Sequence, residues 1–354
     1  MTGEDGMTGS FIIFVRMKLK ITFALLLLAL LFSFYGYFQS ETRKQRILPF
    51  PEGTTYPFEI KQGMSTKNIA NSLLEFDFIS NKSIFEWLAR FKGFDKKIQS
   101  GLYLIPQRVS MTELLVLFTT GKVATIKVTL PEGRNSWEYF GILKKHFALD
   151  SLLFDSLVHD QQFSLSCSIN ASSLEGYLFP DTYDFPYKST ERQLLKILTR
   201  QFNQVLQSLP LKGSEVYQKY GLHGLLTLAS IVEEEAMVAK EQPLIAGVFY
   251  NRLLKNWPLG ADPTVRFAIK KLRGPLYRSE LANTSPYNTR LHTGLPPGPI
   301  SNPGKGAILA AASPDKTPYM FFVAKDNGSR EHYFSETNKQ HVSFKNKRKD
   351  NQQK

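Results

Sequence analysis

Cys167 is the only cysteine among 354 residues. An intrachain disulfide is therefore impossible, and a cysteine zinc cage is excluded. Histidine is sparse too. His146, His159, His223, His292, His332 and His341 are scattered, and no pair has the HExxH spacing of a zinc hydrolase. Neither a metal nor any other cofactor is expected. Acidic residues number 31 against 44 basic ones, leaving a formal charge of +13. That balance favours a polyanionic partner, whether nucleic acid, anionic lipid or wall polymer. No long repeat is present, so collagen and coiled-coil classes are out. The apolar share of 42% is enough for a sizeable core and excludes wholesale disorder.

Residues 21–38 carry no charge, close to the minimum length for crossing a bilayer. Arg16, Lys18 and Lys20 precede the run, and Phe34, Tyr35, Tyr37 and Phe38 close it. This pattern predicts a transmembrane anchor with residues 1–20 in the cytoplasm and the rest of the chain outside, at the cytoplasmic membrane. Arg43, Lys44 and Arg46 blur the charge asymmetry. A cleaved signal peptide is the competing reading, but no small-x-small site ends the run. The sequence from Met17, MKLKITFALLLL, reads as a natural beginning, with the residues before it a dispensable leader. An anchored, external chain makes nucleic acid an improbable partner. Anionic lipid or wall polymer then accounts for the positive charge.

Residues 39–55, with Pro49, Pro51 and Gly53, read as a polar linker. A first unit follows over 56–125. Its expected order is a strand at 56–60, a helix capped by Ser65, a second helix capped by Ser83, and a returning strand at 101–105. A further helix over 111–118 ends at Gly121. The β-α-α-β order resembles a LysM module, a small fold that binds N-acetylglucosamine polymers; a packing subdomain that binds no sugar is the alternative. Residues 126–344 mix strands (126–130, 320–324, 332–334) with helices (136–146, 189–206, 221–238), which predicts an α+β domain. The basic tail, 345–354, reads as a frayed, solvated end.

The chemistry concentrates late in the chain. Leu225, Leu228, Ala229, Val232, Ala236 and Ala239 recur at helical spacing and predict one apolar face. Three glutamates interrupt this pattern. At about 100° per residue Glu234 points away from the apolar face, while Glu233 and Glu235 flank it. A carboxyl half-buried against apolar groups loses solvation and its pKa rises. Such a carboxyl is what general acid catalysis on a glycosidic oxygen requires. A solvated charge run is the bland alternative. Irregular stretches around Asp262, Tyr287, Asn288 and Thr289, and over 294–304, are rich in Pro, Gly, Asn and Tyr, a composition suited to lining a sugar site.

At these residues the sequence resembles the MltG/YceG family of endolytic murein transglycosylases. The matching motifs are Leu-Pro-Glu-Gly at 130–133, Leu-Glu-Gly-Tyr-Leu-Phe-Pro-Asp-Thr-Tyr at 174–183, Ile-Val-Glu-Glu-Glu at 231–235, and Asp-Pro-Thr at 262–264. Tyr-Asn-Thr at 287–289, the 294–304 segment, 319–324 and 332–334 complete it. The resemblance covers roughly residues 50 to 344. It implies cleavage of the β-1,4 bond between N-acetylmuramic acid and N-acetylglucosamine, leaving a 1,6-anhydro end. It places the catalytic glutamate at Glu235. Two departures stand out. Ala236 occupies a place where other lytic transglycosylases have a small hydroxyl residue, and Gly260-Ala261 stand where the family commonly has Gln and then Ser or Thr.

In the implied mechanism Glu235 acts alone, first as acid and then as base. Asp262, Tyr287, Asn288 and Thr289 are candidates for holding the sugar. Glu233 is the reserve acid, and Glu175 and Asp181 are candidates for lining the cleft, with loop stabilisation as their alternative role. An ordinary muramidase would need a second carboxylate beside Glu235, for which Asp262 is the candidate. A tethered, non-catalytic glycan-binding scaffold is the reading from a different class. Peptidoglycan strands, the cytoplasmic membrane and wall-synthesis enzymes such as penicillin-binding proteins are the expected partners.

Overall fold

The computed structural model describes residues 5–48, 51, 53–121 and 123–352. The chain divides into two compact units, 1–125 and 126–354.

The first unit opens with helix α1 (Asp5–Arg43). Its stretch from Met17 to Arg43 is 27 residues long and apolar enough to cross a membrane. At 1.5 Å per residue that is about 40 Å, against a hydrocarbon core of about 30 Å. The polar linker expected over 39–55 is regular structure in its first part. Residues 39–43 continue α1, and β1 (Arg46–Ile47) pairs antiparallel with β4 (Arg108–Val109). No Gly or Pro interrupts the helix there, and its end is tied down. The Thr112 hydroxyl donates to the Thr42 carbonyl at 3.0 Å, and Arg46 Nε donates to the Asp77 carbonyl at 3.1 Å. Pro49, also assigned to the linker, lies outside the described residues.

Between these pieces run β2 (Thr55–Ile60), α2 (Thr66–Glu75), α3 (Lys82–Phe91), β3 (Gly101–Pro106) and α4 (Met111–Thr120). The β-α-α-β order is present, with β2 and β3 antiparallel and Phe58 opposite Tyr103. Ser65 caps α2 as expected, accepting from Asn68 N. Asn81, not Ser83, caps α3, because the asparagine side chain two residues upstream accepts from both Ser83 N and Ile84 N. Phe58, Phe78, Tyr103 and Phe118 form an aromatic centre, with the Tyr103 and Phe118 rings 4.9 Å apart. The buried Tyr103 hydroxyl donates to the Gln99 and Phe118 carbonyls, so no polar group is stranded there.

The second unit is mixed α+β. It runs β5 (Thr125–Leu130), α5 (Ser136–Leu143), α6 (Ser151–Val158), α7 (Gln161–Ser166), β6 (Asp181–Pro186), α8 (Glu191–Gln207) and α9 (Glu215–Glu235). Then follow α10 (Gln242–Leu254), α11 (Asp262–Ala268), α12 (Arg278–Leu281), α13 (Lys305–Ala312), β7 (Phe321–Ala324), β8 (His332–Ser335) and α14 (Asn338–Gln352). β5 pairs with β6, and β7 with β8. The basic tail is not frayed over 345–352, where α14 continues; residues 353 and 354 lie outside the described residues. No Gly or Pro stops that helix, and it packs against β7 and β8.

Helix α9 is the axis of this unit. It packs on α13, α10 and α11. The expected single apolar face is corrected, since every residue from Gly224 to Val232 is buried. A helix apolar all round belongs inside a core. Its two polar members are satisfied locally: Thr227 donates to the His223 carbonyl and Ser230 to the Thr227 carbonyl. Gly221, at φ 66 and ψ −174, breaks the helical path before the buried stretch begins. Glu233, Glu234 and Glu235 follow where α9 leaves the core.

One backbone position fixes the loop facing this helix. Gly176 has φ +85, and a Cβ there would lie 2.4 Å from the Pro299 ring. Gly176→Ala is expected to destabilise the fold by at least about 2 kcal/mol, from left-handed strain and overpacking together. Thermal or urea unfolding of the variant checks this; a loss under about 0.5 kcal/mol would contradict the close approach.

Candidate active site

Glu235 is the last residue of α9, and Ala236 caps it in an extended conformation. Ala236 therefore ends the helix and packs against the core; it supplies no hydroxyl. The Glu235 carboxyl lines a mostly polar pocket of about 300 Å³ with Arg252, Gly260, Asp262 and Arg290. Phe249 and Phe322 form its apolar wall, and His341 and Lys345 stand at the same opening. Burial pushes the Glu235 pKa up to about 7. The charges of Asp262 and Glu234 act in the same direction, while Arg252 and Arg290 oppose it. The C-terminal end of α9, with its negative partial charge, also disfavours a carboxylate there.

Both arginines are held in place. Arg252 Nε donates to the Met320 carbonyl at 2.8 Å, Nη1 donates to the Leu259 carbonyl, and the guanidinium lies 5.5 Å from the Phe321 ring centre. Arg290 Nε donates to Asp262 Oδ1 at 2.7 Å, in an ion pair that is about half exposed. Asp262 opens α11, where the helix N-terminus favours an acidic side chain. Neither arginine is among the residues to which the sequence alone assigns a role. The signal was an arginine directly following Tyr-Asn-Thr, and another on the helix after the glutamates.

The remaining sequence candidates separate. Thr289 is buried; its hydroxyl accepts from Ala261 N at 3.1 Å and pairs with the Thr264 hydroxyl at 2.9 Å. Asn288 is also buried. Its amide donates to the Leu281 and Asn283 carbonyls, and its oxygen accepts from Arg290 N at 3.0 Å. These two residues set the loop that presents Asp262 and Arg290, and their polar atoms are used within it. Tyr287 packs on Phe267, ring centres 4.9 Å apart, away from the Glu235 pocket.

Glu233 accepts from Gly304 N at 3.0 Å and does not line the Glu235 pocket. Burial raises its pKa, offset in part by that bond. Glu234 faces a separate cleft of about 70 Å³ with Arg134, Glu138, Arg266 and Arg273. Burial and Glu138 push its pKa to about 7. Glu175 is buried and is not part of the Glu235 pocket. It accepts from Ser136 N and Oγ at 3.0 and 2.7 Å and from Asn302 Nδ2 at 3.2 Å. Burial raises it to about 7 against those bonds. Asp181 is exposed and bonded to Gln201, far in role from the cleft lining expected of it. An acidic residue at the exposed start of β6 is solvated, so no buried partner draws it inward.

Asn302, in the 294–304 segment, is fully buried and joins three of the motifs. Its oxygen accepts from Gly176 N and Leu178 N, and its amide donates to the Arg134 carbonyl and Glu175. Ser230 Oγ accepts from Ile300 N at 3.0 Å, tying the 294–304 segment to α9. His223 Nε2 meets the Pro297 carbonyl at 2.9 Å and so donates, leaving Nδ1 to accept from the Tyr177 hydroxyl at 2.8 Å. His332 is a buried strand residue bonded to Glu241. Among the described residues no group of three or more His, Cys, Asp or Glu could hold a metal.

A model of the YceG-like family matches residues 58–347. The endolytic murein transglycosylase of Bacillus subtilis strain 168 is 32% identical over 310 residues, 83% of this chain and 85% of that protein. The protein of the same name from Streptococcus pneumoniae serotype 2 is 28% identical over 342 residues, 87% of this chain and 61% of its own length. A crystal structure of a yceG-like protein from Listeria monocytogenes superposes with a TM-score of 0.56 at 28% identity, covering 82% of this chain and 98% of that one.

Two outcomes follow from the charges around Glu235. Asp262→Asn removes the negative neighbour and frees Arg290, so the Glu235 pKa is expected to fall; carboxyl-carbon NMR, assigned by difference from Glu235→Gln, reads it. An unmoved or raised value would contradict the pairing. Stability is expected to follow the same proton. A carboxyl raised to about 7 in the fold binds more protons than in the unfolded chain at about 4.3. Its favourable contribution is full below the unfolded value and is lost as pH rises through about 7. Unfolding between pH 5 and 8 should therefore show wild type losing more stability than Glu235→Gln.

Proposed function

The chain belongs to the YceG-like family, and we propose on that premise that it is an endolytic murein transglycosylase with Glu235 as its single acid and base. The observation that carries the reading is the Glu235 carboxyl at the end of a buried helix, raised to about 7 in a polar pocket. A pKa near the working pH suits a group that must donate a proton in one step and accept one in the next. Glu235 donates its proton to the glycosidic oxygen as the C1–O bond breaks. The acetamido group of the muramic acid stabilises the cationic C1. Glu235, now ionised, takes the proton of the C6 hydroxyl, and O6 bonds to C1. Atoms balance with no water consumed. Arg252 and Arg290 lower the cost of the ionised intermediate state of Glu235.

Asp262 is the charge and positioning partner in this reading. Its ion pair with Arg290 supports that role over that of a second catalytic carboxylate, which a hydrolytic muramidase would need. Thr289 and Asn288 position the loop, and Glu175 with Asn302 positions the start of α5. The domain assignment goes with this reading: an anchor, a first unit ending near residue 125, and the catalytic unit after it. The β-α-α-β order supports a LysM-like first unit. Lys18 and Lys20 ahead of the apolar run support an N-terminus inside the cell and both units outside it, at the cytoplasmic membrane. Wall-synthesis enzymes such as penicillin-binding proteins are the partners this location suggests.

Full-length protein incubated with purified peptidoglycan is expected to yield anhydro ends, lighter by one water and resistant to borohydride, by mass spectrometry. Activity should fall as pH rises through about 7, where the acid form of Glu235 is lost. Glu235→Gln should remain folded and lose cleavage by at least about 100-fold. Reducible ends would replace this reading with hydrolysis, and residual cleavage close to wild type would move the acid to another glutamate.

A further inference from the structure

Helix α3 presents two faces of opposite logic. Phe85, Leu88 and Ala89 are buried in the first unit's core. Trp87 and Phe91, one turn apart on the other side, are 67% and 82% exposed. Large aromatics paired on an outward face mark an interaction surface. They do not stand alone. With Leu31, Phe34, Tyr35 and Phe38 of α1 they line a groove of about 420 Å³, whose lining is largely apolar. The α1 residues in this groove, from Leu31 to Arg43, recur at three- and four-residue spacing and so form one stripe of that helix.

The stripe changes character along its length. It is apolar from Leu31 to Phe38 and polar at Gln39, Thr42 and Arg43, and Lys92 joins the groove from the end of α3. Leu31 to Arg43 spans about 18 Å along the helix. One leaflet has about 15 Å of hydrocarbon, with the headgroup layer beyond it. The groove thus carries the gradient of a single leaflet: apolar at depth, aromatic at the interface, cationic at the level of lipid phosphates. Because α1 runs without a break into the first unit and is pinned by Thr112 and by β1–β4 pairing, α3 is held at a fixed height on the span.

We infer that α3 is a second membrane contact, with Trp87 and Phe91 immersed in the outer part of the leaflet and the groove between α1 and α3 occupied by a phospholipid. One acyl chain lies against the aromatic stripe, and the phosphate lies against Arg43 and Lys92. The inference rests on reading α1 as membrane-spanning, and continuity of the groove with that span is what selects lipid as the occupant.

The test uses full-length protein in phospholipid nanodiscs. In a Cys167→Ala background, nitroxide labels are placed at Leu27→Cys in α1, Phe91→Cys in α3 and Glu75→Cys at the exposed end of α2. Collision with oxygen reports lipid, and collision with a nickel chelate reports water. Labels at 27 and 91 are expected to favour oxygen, and the label at 75 to favour nickel. A label at 91 that behaves like 75, while 27 stays in lipid, overturns the second contact and leaves the span intact. A water-exposed label at 27 overturns the span and this proposal with it. A phospholipid carrying a photoreactive diazirine in its acyl chain tests the occupant. Irradiation should mark the 82–92 peptide as well as α1; adducts on α1 alone overturn the lipid-filled groove.

Discussion

Removing the Glu235 carboxyl from water is the constraint on which the second unit depends. A helix buried on all sides from Gly224 to Val232 ends within three residues in three glutamates. Each must then find a different solution. Glu233 takes a backbone N–H from Gly304, Glu234 shares a cleft with Arg134 and other arginines, and Glu235 is left facing a pocket with Arg252, Arg290 and Asp262. Burial raises all three carboxyls, and Glu234 reaches about 7 as Glu235 does. What separates Glu235 from the two glutamates beside it is the larger polar pocket it faces, with Arg252, Arg290 and Asp262 around it.

Balance at Glu235 requires that the opposing charges not drift. The loops that hold them are irregular, and irregular backbone inside a core must satisfy its polar groups by side chains. Asn302, Asn288 and Thr289 do this: each is buried and makes hydrogen bonds to main-chain groups. Arg252 is fixed in the same way by two carbonyls. Asn288 and Thr289, which read in one dimension as candidates for holding a sugar, spend these polar atoms on the loop that carries Arg290 beside Asp262, while Asn302 ties together the backbone at Gly176 and Arg134.

The periodic elements were the easiest part of the sequence to read. Strand pairing in the first unit, the Ser65 cap and the helix leading into the glutamates all follow from local pattern. Longer-range effects were not legible. The apparent linker after residue 38 pairs with a strand some sixty residues away, which no local pattern reports. The single apolar face assigned to α9 missed its full burial, because Thr227 and Ser230 read as polar while bonding within their own helix. Glu235 was singled out by the triplet and the family resemblance. Arg252 and Arg290 were not, since a countercharge is recognised only by what it faces. Asp181 and Asn288 show the limit from the other side: motif position alone does not tell that one is exposed and bonded to Gln201 and the other bonded within its own loop.

Gly260 shows how the pocket's chemistry depends on an absent side chain. It has φ +66, and a Cβ there would stand 3.4 Å from Arg252 Nη1. A longer side chain, such as the glutamine common at this place in the resembling family, would extend over the guanidinium and present an amide to whatever enters. With glycine the guanidinium itself faces the opening. An amide offers both donors and an acceptor; a guanidinium offers donors and a full charge. The groups that fit beside Glu235 in this chain are therefore acceptors, such as a carbonyl or carboxylate oxygen of the glycan. An acceptor drawn to Arg252 would weaken the positive field on Glu235 and raise its pKa further. Such an acceptor would thereby favour the proton-donating form of Glu235 through one arginine.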